Sequence, residues 1–228
     1  MNKRESNQRE SSRSKIVVLG LVGGIGAGKS FATKEFVAQG AVAFNADEEA
    51  RNMYDNSEVL AAFRARWRDV VDSEGRVDRA KLAALVFAPT PQGRRELDFL
   101  NAVLRAPLAA RFKEWRETIV RDGTNRHVVV LDAPLLFEAG WDAFVDYVVF
   151  VDASEATRRR RIIERGWRED ELERRERTQT PLAEKKARAD FIIDADQDNS
   201  NMPLQVERIL KAITRGAERY KASDSDRK

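Results

Sequence analysis

Apolar residues along this chain form short runs, and the segments between the runs repeat apolar residues at helical spacing. The runs predict buried strands at 16–20, 41–45, 127–132, 147–152 and 191–194. Helical spacing is clearest in the second quarter of the chain, for Leu82, Leu85 and Val86 and for Leu97, Leu100 and Leu104. Strands that alternate with helices predict an α/β fold with a doubly wound parallel sheet.

A glycine-rich stretch follows the first predicted strand and precedes a helix predicted over 31–39. Residues 23–30 read Gly-Gly-Ile-Gly-Ala-Gly-Lys-Ser, which fits the phosphate-loop pattern G-x-x-x-x-G-K-[ST]. Glycines let backbone N–H groups curl around a phosphate, lysine reaches the β- and γ-phosphates, and serine ligates magnesium. A glycine turn without a ligand is the alternative, and the strand–loop–helix context disfavours it. The candidate nucleotide-binding residues here are Gly24, Gly26, Ala27, Gly28, Lys29, Ser30 and Phe31.

Two charged helical segments interrupt the predicted sheet. Residues 48–126 exceed what a crossover between strands needs, which predicts an inserted helical subdomain. Residues 155–190 mix basic and acidic side chains, which is typical of solvated helices; a lid with a few inward arginines is the second interpretation. The polar ends, 1–14 and 214–228, predict a disordered extension and a tail. The domain between them is predicted to span 15–213.

Composition restricts the chemistry. The chain has 228 residues, 42% of them hydrophobic and 35% charged, with a net charge of only +3, which favours a globular protein without nucleic-acid partners. It has no cysteine and one histidine, His127, which excludes disulfides and thiolate chemistry and disfavours histidine-based sites. No signal peptide or long apolar run occurs, so we expect a cytoplasmic protein with no membrane partner.

The residues after two strands narrow the class of nucleotide-binding protein. The fourth strand is followed by Ala-Ser-Glu and not by the Asn-Lys-x-Asp motif of GTPases. The third strand ends in a single carboxylate, Asp132, before Ala-Pro, whereas ring-forming ATPases have an acidic pair there. Small-molecule kinases remain.

A kinase needs a carboxylate near the acceptor hydroxyl. Asp47 follows the second strand at the carboxyl edge of the sheet, where open α/β sheets bind ligands. It is a candidate for that role and equally a candidate N-cap for a helix beginning near Glu48. Asp132 is a candidate magnesium ligand through water, or simply a hydrogen-bonding residue at a strand end.

Five blocks resemble the dephospho-coenzyme A kinase family, in the family's order, and together cover about 16–213. The blocks are Gly20-Leu21-Val22-Gly23-Gly24-Ile25-Gly26-Ala27-Gly28-Lys29-Ser30; Asn45-Ala46-Asp47-Glu48; Gly75-Arg76-Val77-Asp78-Arg79 with Leu82, Val86 and Phe87; Pro134-Leu135-Leu136-Phe137-Glu138; and Gln179-Thr180-Pro181-Leu182 with Glu184, Lys185, Ala189 and Asp190. The last two blocks are more discriminating than the phosphate loop.

The resemblance implies the three-layer fold of P-loop kinases, with a five-stranded parallel sheet of order 2-3-1-4-5, a helical acceptor-binding insert and a helical lid. It implies transfer of the ATP γ-phosphate, with Mg²⁺, to the ribose 3′-hydroxyl of dephospho-coenzyme A in the last step of coenzyme A synthesis. Asp47 would orient that hydroxyl, assisted by Lys29 and the lid arginine Arg175. Arg161 and Arg165 would contact ATP, and Ser30 and Asp132 would serve magnesium. The partners would be small molecules, and we expect a monomer or weak homo-oligomer.

The sequence departs from the family pattern at several positions. Asn45 replaces the first aspartate of Asp-Ala-Asp, and Arg105-Ala106-Pro107 stands where Leu-His-Pro is common. Val22 and Phe31 stand where threonine is frequent. These departures leave two alternatives open: a kinase of another small hydroxylated or nucleotide acceptor, and a non-catalytic ATP-binding regulator.

Overall fold

A parallel five-stranded sheet lies at the centre of the computed structural model, which describes residues 16–121, 128–167, 169–177, 179–196 and 201–214. Its strands are β1 (Val17–Gly23), β2 (Val42–Asn45), β3 (Val128–Asp132), β4 (Tyr147–Asp152) and β5 (Phe191–Asp194). The spatial order is β2-β3-β1-β4-β5, and every pairing is parallel. The predicted α/β class and strand order are therefore confirmed.

Helices connect the strands and cover both faces of the sheet. They are α1 (Lys29–Ala38), α2 (Ala46–Asn52), α3 (Ser57–Arg66), α4 (Arg79–Val86), α5 (Pro91–Arg121), α6 (Glu155–Glu164), α7 (Glu169–Glu176), α8 (Leu182–Ala187) and α9 (Met202–Thr214), with 3₁₀ turns at Met53–Asp55 and Trp141–Phe144. No helix in the described part of the chain combines the length and the apolarity that are needed to cross a membrane.

The strands alternate side chains between two cores, which gives three layers. Along β3, Val129 and Leu131 face a core shared with α3, α4 and α5. Val128 and Val130 face the other core, which is shared with α1 and α9. A parallel strand is apolar on both faces because helices cover both faces, and this is why the strands read as continuous apolar runs.

The insert predicted between β2 and β3 consists of the helices α2 to α5. A turn at 73–75, closed by a bridge between Val71 and Val77, separates α3 from α4, and α5 begins at Pro91. Leu97, Leu100 and Leu104 are buried as predicted. Leu82, Leu85 and Val86 lie in α4, as their spacing predicted; Leu82 and Val86 are buried, whereas Leu85 is exposed.

Several predicted boundaries differ from the structure. β1 continues to Gly23 because Leu21 pairs with both neighbouring strands, and Val22 and Gly23 continue the pairing with β4. α1 starts at Lys29, before the predicted 31, and β2 starts at 42, after the predicted 41. His127 and the ends of the chain (1–15 and 215–228) lie outside the described residues, and Thr214, predicted in the tail, ends α9.

The register of the strands brings their carboxyl ends to one edge. Asn45 is paired with Asp132 between β2 and β3, and Gly23 is paired with Val151 between β1 and β4. The phosphate loop and the segments after β2 and β3 therefore leave the sheet side by side, which is the position where open α/β sheets bind ligands.

Candidate active site

The phosphate loop occupies residues 24–28 between β1 and α1. Two glycines, Gly23 at the end of β1 and Gly26 in the loop, lie too close to neighbouring backbone to carry a side chain. A Cβ on Gly23 would lie 2.5 Å from the carbonyl oxygen of Val151 in β4. Gly26 has φ +77°, and its Cβ would lie 2.8 Å from the carbonyl oxygen of Arg158 in α6. A Cβ at either position would force the loop away from the sheet or from α6. The glycines thus hold the loop N–H groups at the start of α1, where an anion is favoured.

Lys29 begins α1 and folds back over the loop. Its Nζ donates to the carbonyl oxygens of Gly23 at 2.9 Å and Gly24 at 3.1 Å. Loss of hydration around the ammonium, together with the nearby charge of Lys185, lowers the pKa of Lys29 to about 8. Phosphate oxygens can replace these carbonyls as acceptors and return the pKa upward. Ser30 is the next residue, with an exposed hydroxyl in the first turn of α1.

Asp47 lies in the first turn of α2 and does not cap it. The N-cap is Asn45, whose Oδ1 accepts from the backbone N–H of Glu48 at 3.1 Å. The interpretation of Asp47 as the N-cap is therefore wrong, and its carboxylate does not cap the helix. Desolvation and the negative charge of Asp132 raise the pKa of Asp47, whereas Arg51 and Lys29 act in the opposite direction. A raised pKa makes this carboxylate a better proton acceptor.

Asp132 ends β3 beside the loop. Its Oδ2 lies 3.4 Å from the hydroxyl of Thr33 in α1. Desolvation raises the pKa of Asp132, while the charge of Lys29 and the Thr33 hydroxyl lower it. Asp47 and Asp132 therefore repel each other at the mouth of the loop, a repulsion that a cation would relieve.

These groups fit magnesium that arrives with a nucleotide. The described residues contain no cluster of three or more His, Cys, Asp or Glu side chains able to hold a metal alone. Mg²⁺ is typically held by one or two protein oxygens together with substrate phosphates and water. Ser30 and Asp132 supply such oxygens next to the phosphate loop.

Two arginines of α6 contact the loop. Arg161 Nη1 donates to the carbonyl oxygen of Ala27 at 2.9 Å, and its Nη2 donates to that of Ala195, after β5, at 2.8 Å. Arg158, which no sequence argument singled out, is buried beside Gly24 and forms an ion pair with Glu176 of α7. Arg158 thus holds the carboxylate of Glu176 beside the loop.

The other two predicted lid arginines lie farther along the same segment. Arg165 is an exposed residue at the C-cap of α6. Arg175 lies in α7, where its guanidinium carbon is 4.1 Å from the ring centroid of Trp167. Phe31 is half-buried and packs on the core next to α1.

The two most discriminating sequence blocks meet in a buried ion pair. Lys185 Nζ lies 3.0 Å from Glu138 Oε1, and the two side chains are 1% and 4% exposed. Glu138 also accepts from the backbone N–H of Thr180 at 2.7 Å, and Gln179 accepts from Lys185 at 3.1 Å. This pair fastens the end of the lid segment to the segment after β3. Neither residue was among the predicted site residues, although both lie in the blocks that carry the resemblance.

A cleft lies between α2, α5 and the segment after β3, and Asp47 lines it. Its apolar wall is formed by Ala50, Leu104, Leu108, Leu135, Trp141 and Phe144. Arg105 supplies a positive charge at the same cleft, whereas Ala106, which replaces the family's histidine, does not line it. Asp47 also interacts electrostatically with Lys29, so this one carboxylate borders both the cleft and the phosphate loop.

Comparison with known proteins identifies the relatives of this chain. A model of the family described as CoaE, dephospho-CoA kinase, matches residues 17–201. Dephospho-CoA kinase of Geobacillus kaustophilus is 36% identical over 201 residues, which is 86% of this chain and 96% of that protein. The crystal structure of TT1252 from Thermus thermophilus has a TM-score of 0.69 at 31% identity, covering 89% of this chain and 98% of that one. The structure of dephospho-CoA kinase from Campylobacter jejuni has a TM-score of 0.57 at 21% identity. That match covers 87% of this chain and 98% of that one, and it supports the fold.

Proposed function

Because this chain belongs to the dephospho-CoA kinase family, its reaction is the ATP-dependent phosphorylation of dephospho-CoA in coenzyme A biosynthesis, and we propose that Asp47 and Lys29 carry that reaction at the site described above. The enzyme is a phosphotransferase with an alcohol group as acceptor. The acceptor atom in this proposal is the ribose 3′-oxygen of dephospho-CoA. Both substrates are small molecules, and the reaction takes place in the cytoplasm.

The position of Asp47 is the single observation that carries the proposal. The carboxylate lines the apolar cleft and interacts electrostatically with Lys29 of the phosphate loop. A hydroxyl that enters from the cleft therefore meets Asp47 on the side of the loop where the γ-phosphate would lie. The insert predicted over 48–126 then serves as one wall of the acceptor site.

In the proposed reaction, the phosphoryl group passes from ATP to the acceptor in one displacement. The 3′-oxygen attacks the γ-phosphorus of ATP and a new P–O bond forms, while the bond between that phosphorus and the β,γ-bridging oxygen breaks and ADP leaves. The 3′-hydroxyl proton passes to the carboxylate of Asp47, whose raised pKa favours accepting it. The loop N–H groups and Lys29 stabilise the charge on the transferring group and on the departing ADP.

Magnesium is part of the proposal because the donor set fits it. Ser30 and Asp132 would hold the ion, which when bound neutralises charge on the ATP phosphates. This chain contributes the two oxygens and, through the paired carboxylates Asp47 and Asp132, the negative potential that favours a cation there.

The arginines of the lid segment, 155–190, complete the proposed ATP site. Arg158 lies against Gly24 and would exchange Glu176 for phosphate oxygens. Arg161 already braces the loop through Ala27 and would keep its N–H groups aligned. Arg165 and Arg175 are proposed to approach ATP when the lid closes.

Replacing Asp47 with asparagine tests the role of the carboxylate. We expect kcat for dephospho-CoA to fall roughly 100-fold. This loss is at the lower end of those seen when a general base is removed, because a loose phosphoryl transfer depends mainly on positioning. The KM for ATP should stay within a factor of about two, since Asp47 lies outside the loop. Asp55→Asn, an exposed carboxylate three residues past α2, is the control and should behave as wild type. An unchanged kcat in Asp47→Asn would remove Asp47 from the chemistry.

The acceptor itself is tested with a panel. Wild-type enzyme is supplied with ATP, magnesium and either dephospho-CoA or one of the nucleoside monophosphates, and ADP release is followed. We expect kcat/KM to be highest for dephospho-CoA and the product to carry the new phosphate on the 3′-oxygen. A higher kcat/KM for a monophosphate would contradict the proposal.

The lowered pKa of Lys29 predicts a pH dependence. In the free enzyme Lys29 is protonated below about pH 8 and loses its proton as the pH rises through that value. We therefore expect kcat/KM for ATP to decrease above about pH 8, while kcat persists to higher pH because bound phosphates favour the charged lysine. The profiles are measured at saturating magnesium and dephospho-CoA. A kcat/KM for ATP that stays flat to about pH 10 would contradict this role.

A further inference from the structure

Arg105 is a positively charged residue in a cleft whose wall is otherwise mostly apolar, and it differs from the residue that is common in the family. It stands where the family commonly has leucine, in the middle of α5. Asp47 of α2 and Arg105 of α5 both line the cleft, so an acceptor bound there would meet one negative and one positive side chain.

The guanidinium of Arg105 lies close to Gly140, beside the cleft. A Cβ on Gly140 would lie 3.4 Å from Nη2 and 3.5 Å from Cζ of Arg105, and Gly140 has φ +74°, which disfavours any other residue. Gly140 is flanked by two residues that line the cleft, Ala139 and Trp141. The guanidinium of Arg105 therefore lies beside Gly140, next to the cleft wall.

Arg105 has no carboxylate partner among the described residues, in contrast to its neighbour Arg111. Arg111, farther along α5, lies 3.0 Å from Glu49 of α2 and is neutralised by it. Arg105 forms no ion pair within the part of the chain that the structure describes. A guanidinium that faces a ligand cleft without a counter-ion is suited to bind an anion, and its planar fork matches phosphate oxygens with two parallel hydrogen bonds.

We propose that Arg105 binds the diphosphate of the acceptor and so selects a nucleoside diphosphate ester over an uncharged nucleoside. This inference rests on the proposed function, since it assumes that dephospho-CoA enters this cleft with its 3′-hydroxyl towards Asp47. The acceptor carries its negative charges on the 5′ side of the ribose, whereas the reacting hydroxyl is on the 3′ side. Arg105 attracts the charged 5′ side, and Asp47 receives the hydroxyl.

The test compares Arg105→Gln with wild type on a charged and an uncharged ligand. We expect the KM for dephospho-CoA to rise roughly 10- to 100-fold, as for a lost charge-assisted hydrogen bond, with kcat and the KM for ATP little changed. Adenosine lacks the diphosphate, so its inhibition constant against dephospho-CoA should not change. Arg105→Lys, which keeps the charge and loses the fork, should recover part of the loss.

The control is Arg116→Gln, an exposed arginine on the same helix that does not line the cleft. Thermal unfolding of both variants checks that α5 is intact. A KM for dephospho-CoA in Arg105→Gln equal to that in Arg116→Gln would overturn the inference, as would an equal loss of affinity for adenosine. If the wild-type enzyme does not phosphorylate dephospho-CoA at all, the proposed function fails first. Those two failures are therefore distinguishable.

Discussion

Methionine in place of Lys29 will lower kcat for dephospho-CoA by roughly a thousandfold, the largest loss of activity expected from any single change in this protein. Lys29 lies over the phosphate loop and donates to the carbonyls of Gly23 and Gly24, the position from which it would contact the transferring phosphoryl group. Loop N–H groups alone cannot supply the mobile positive charge that follows the phosphoryl group during transfer. Methionine keeps an unbranched side chain of nearly the same length and removes the ammonium, with its charge and its hydrogen bonds.

The control for this substitution is Lys34→Met on the same helix, an exposed lysine outside the loop. Steady-state kinetics with saturating ATP and magnesium separate kcat from KM, and thermal unfolding shows whether the variant remains folded. The loss should appear in kcat itself and persist at saturating ATP, because the interaction is strongest in the transition state. A Lys29→Met enzyme whose kcat stays within about tenfold of Lys34→Met would contradict this role for Lys29.

The strands could be predicted from the sequence because each is apolar on both faces, but the end of β1 could not. The predicted strand ended at Gly20 and the predicted phosphate loop began at Gly23, yet β1 continues through both glycines. A Cβ on Gly20 would come within 2.9 Å of Leu136, and one on Gly23 within 2.5 Å of the Val151 carbonyl. These glycines allow close packing in the sheet, a reason that depends on residues far away in the chain.

The sequence also did not show whether Asn45 or Asp47 is the N-cap of α2. Asparagine and aspartate are about equally good N-caps, so local propensity does not discriminate between them. The pairing of Asn45 with Asp132 fixes where β2 ends, and α2 begins at the next residue. The predicted strand end at 45 was correct, and the error lay in the start of α2, which was predicted near Glu48 and lies at Ala46.

Arg158 shows why the lid residues could not be chosen from the sequence. Residues 158–161 are four consecutive arginines, and charge alone does not tell which of them face inward. The buried face of α6 is formed by Thr157, Arg158 and Ile162, and packing against the loop decides it. The helical spacing of Arg158 and the apolar Ile162 was the available signal. Glu138 and Lys185 gave no local signal, because they are far apart in the chain and meet only in the folded protein.

Replacing Lys185 with methionine will destabilise the fold by about 3 to 5 kcal/mol, because it leaves the buried carboxylate of Glu138 without its counter-ion. Burial alone raises the pKa of Glu138, but the backbone N–H groups of Thr180 and of Glu138 itself, together with Lys185, lower it overall, so the group is charged in the folded protein. Its second oxygen, Oε2, is buried without a hydrogen-bond partner among the described residues, so little remains to stabilise the charge once Lys185 is removed.

A second substitution separates the charge from the packing. In Lys185→Met/Glu138→Gln, the amide oxygen of glutamine still accepts from Thr180 and no charge is buried, so most of the lost stability should return. The control Lys186→Met removes the adjacent lysine, which pairs with Asp152 where both side chains are partly exposed, and should cost less than about 1 kcal/mol. Urea midpoints measured at constant m-value give the three values. If Lys185→Met is no less stable than Lys186→Met, or if the double variant is less stable than Lys185→Met, the buried pair does not fasten the lid to the segment after β3.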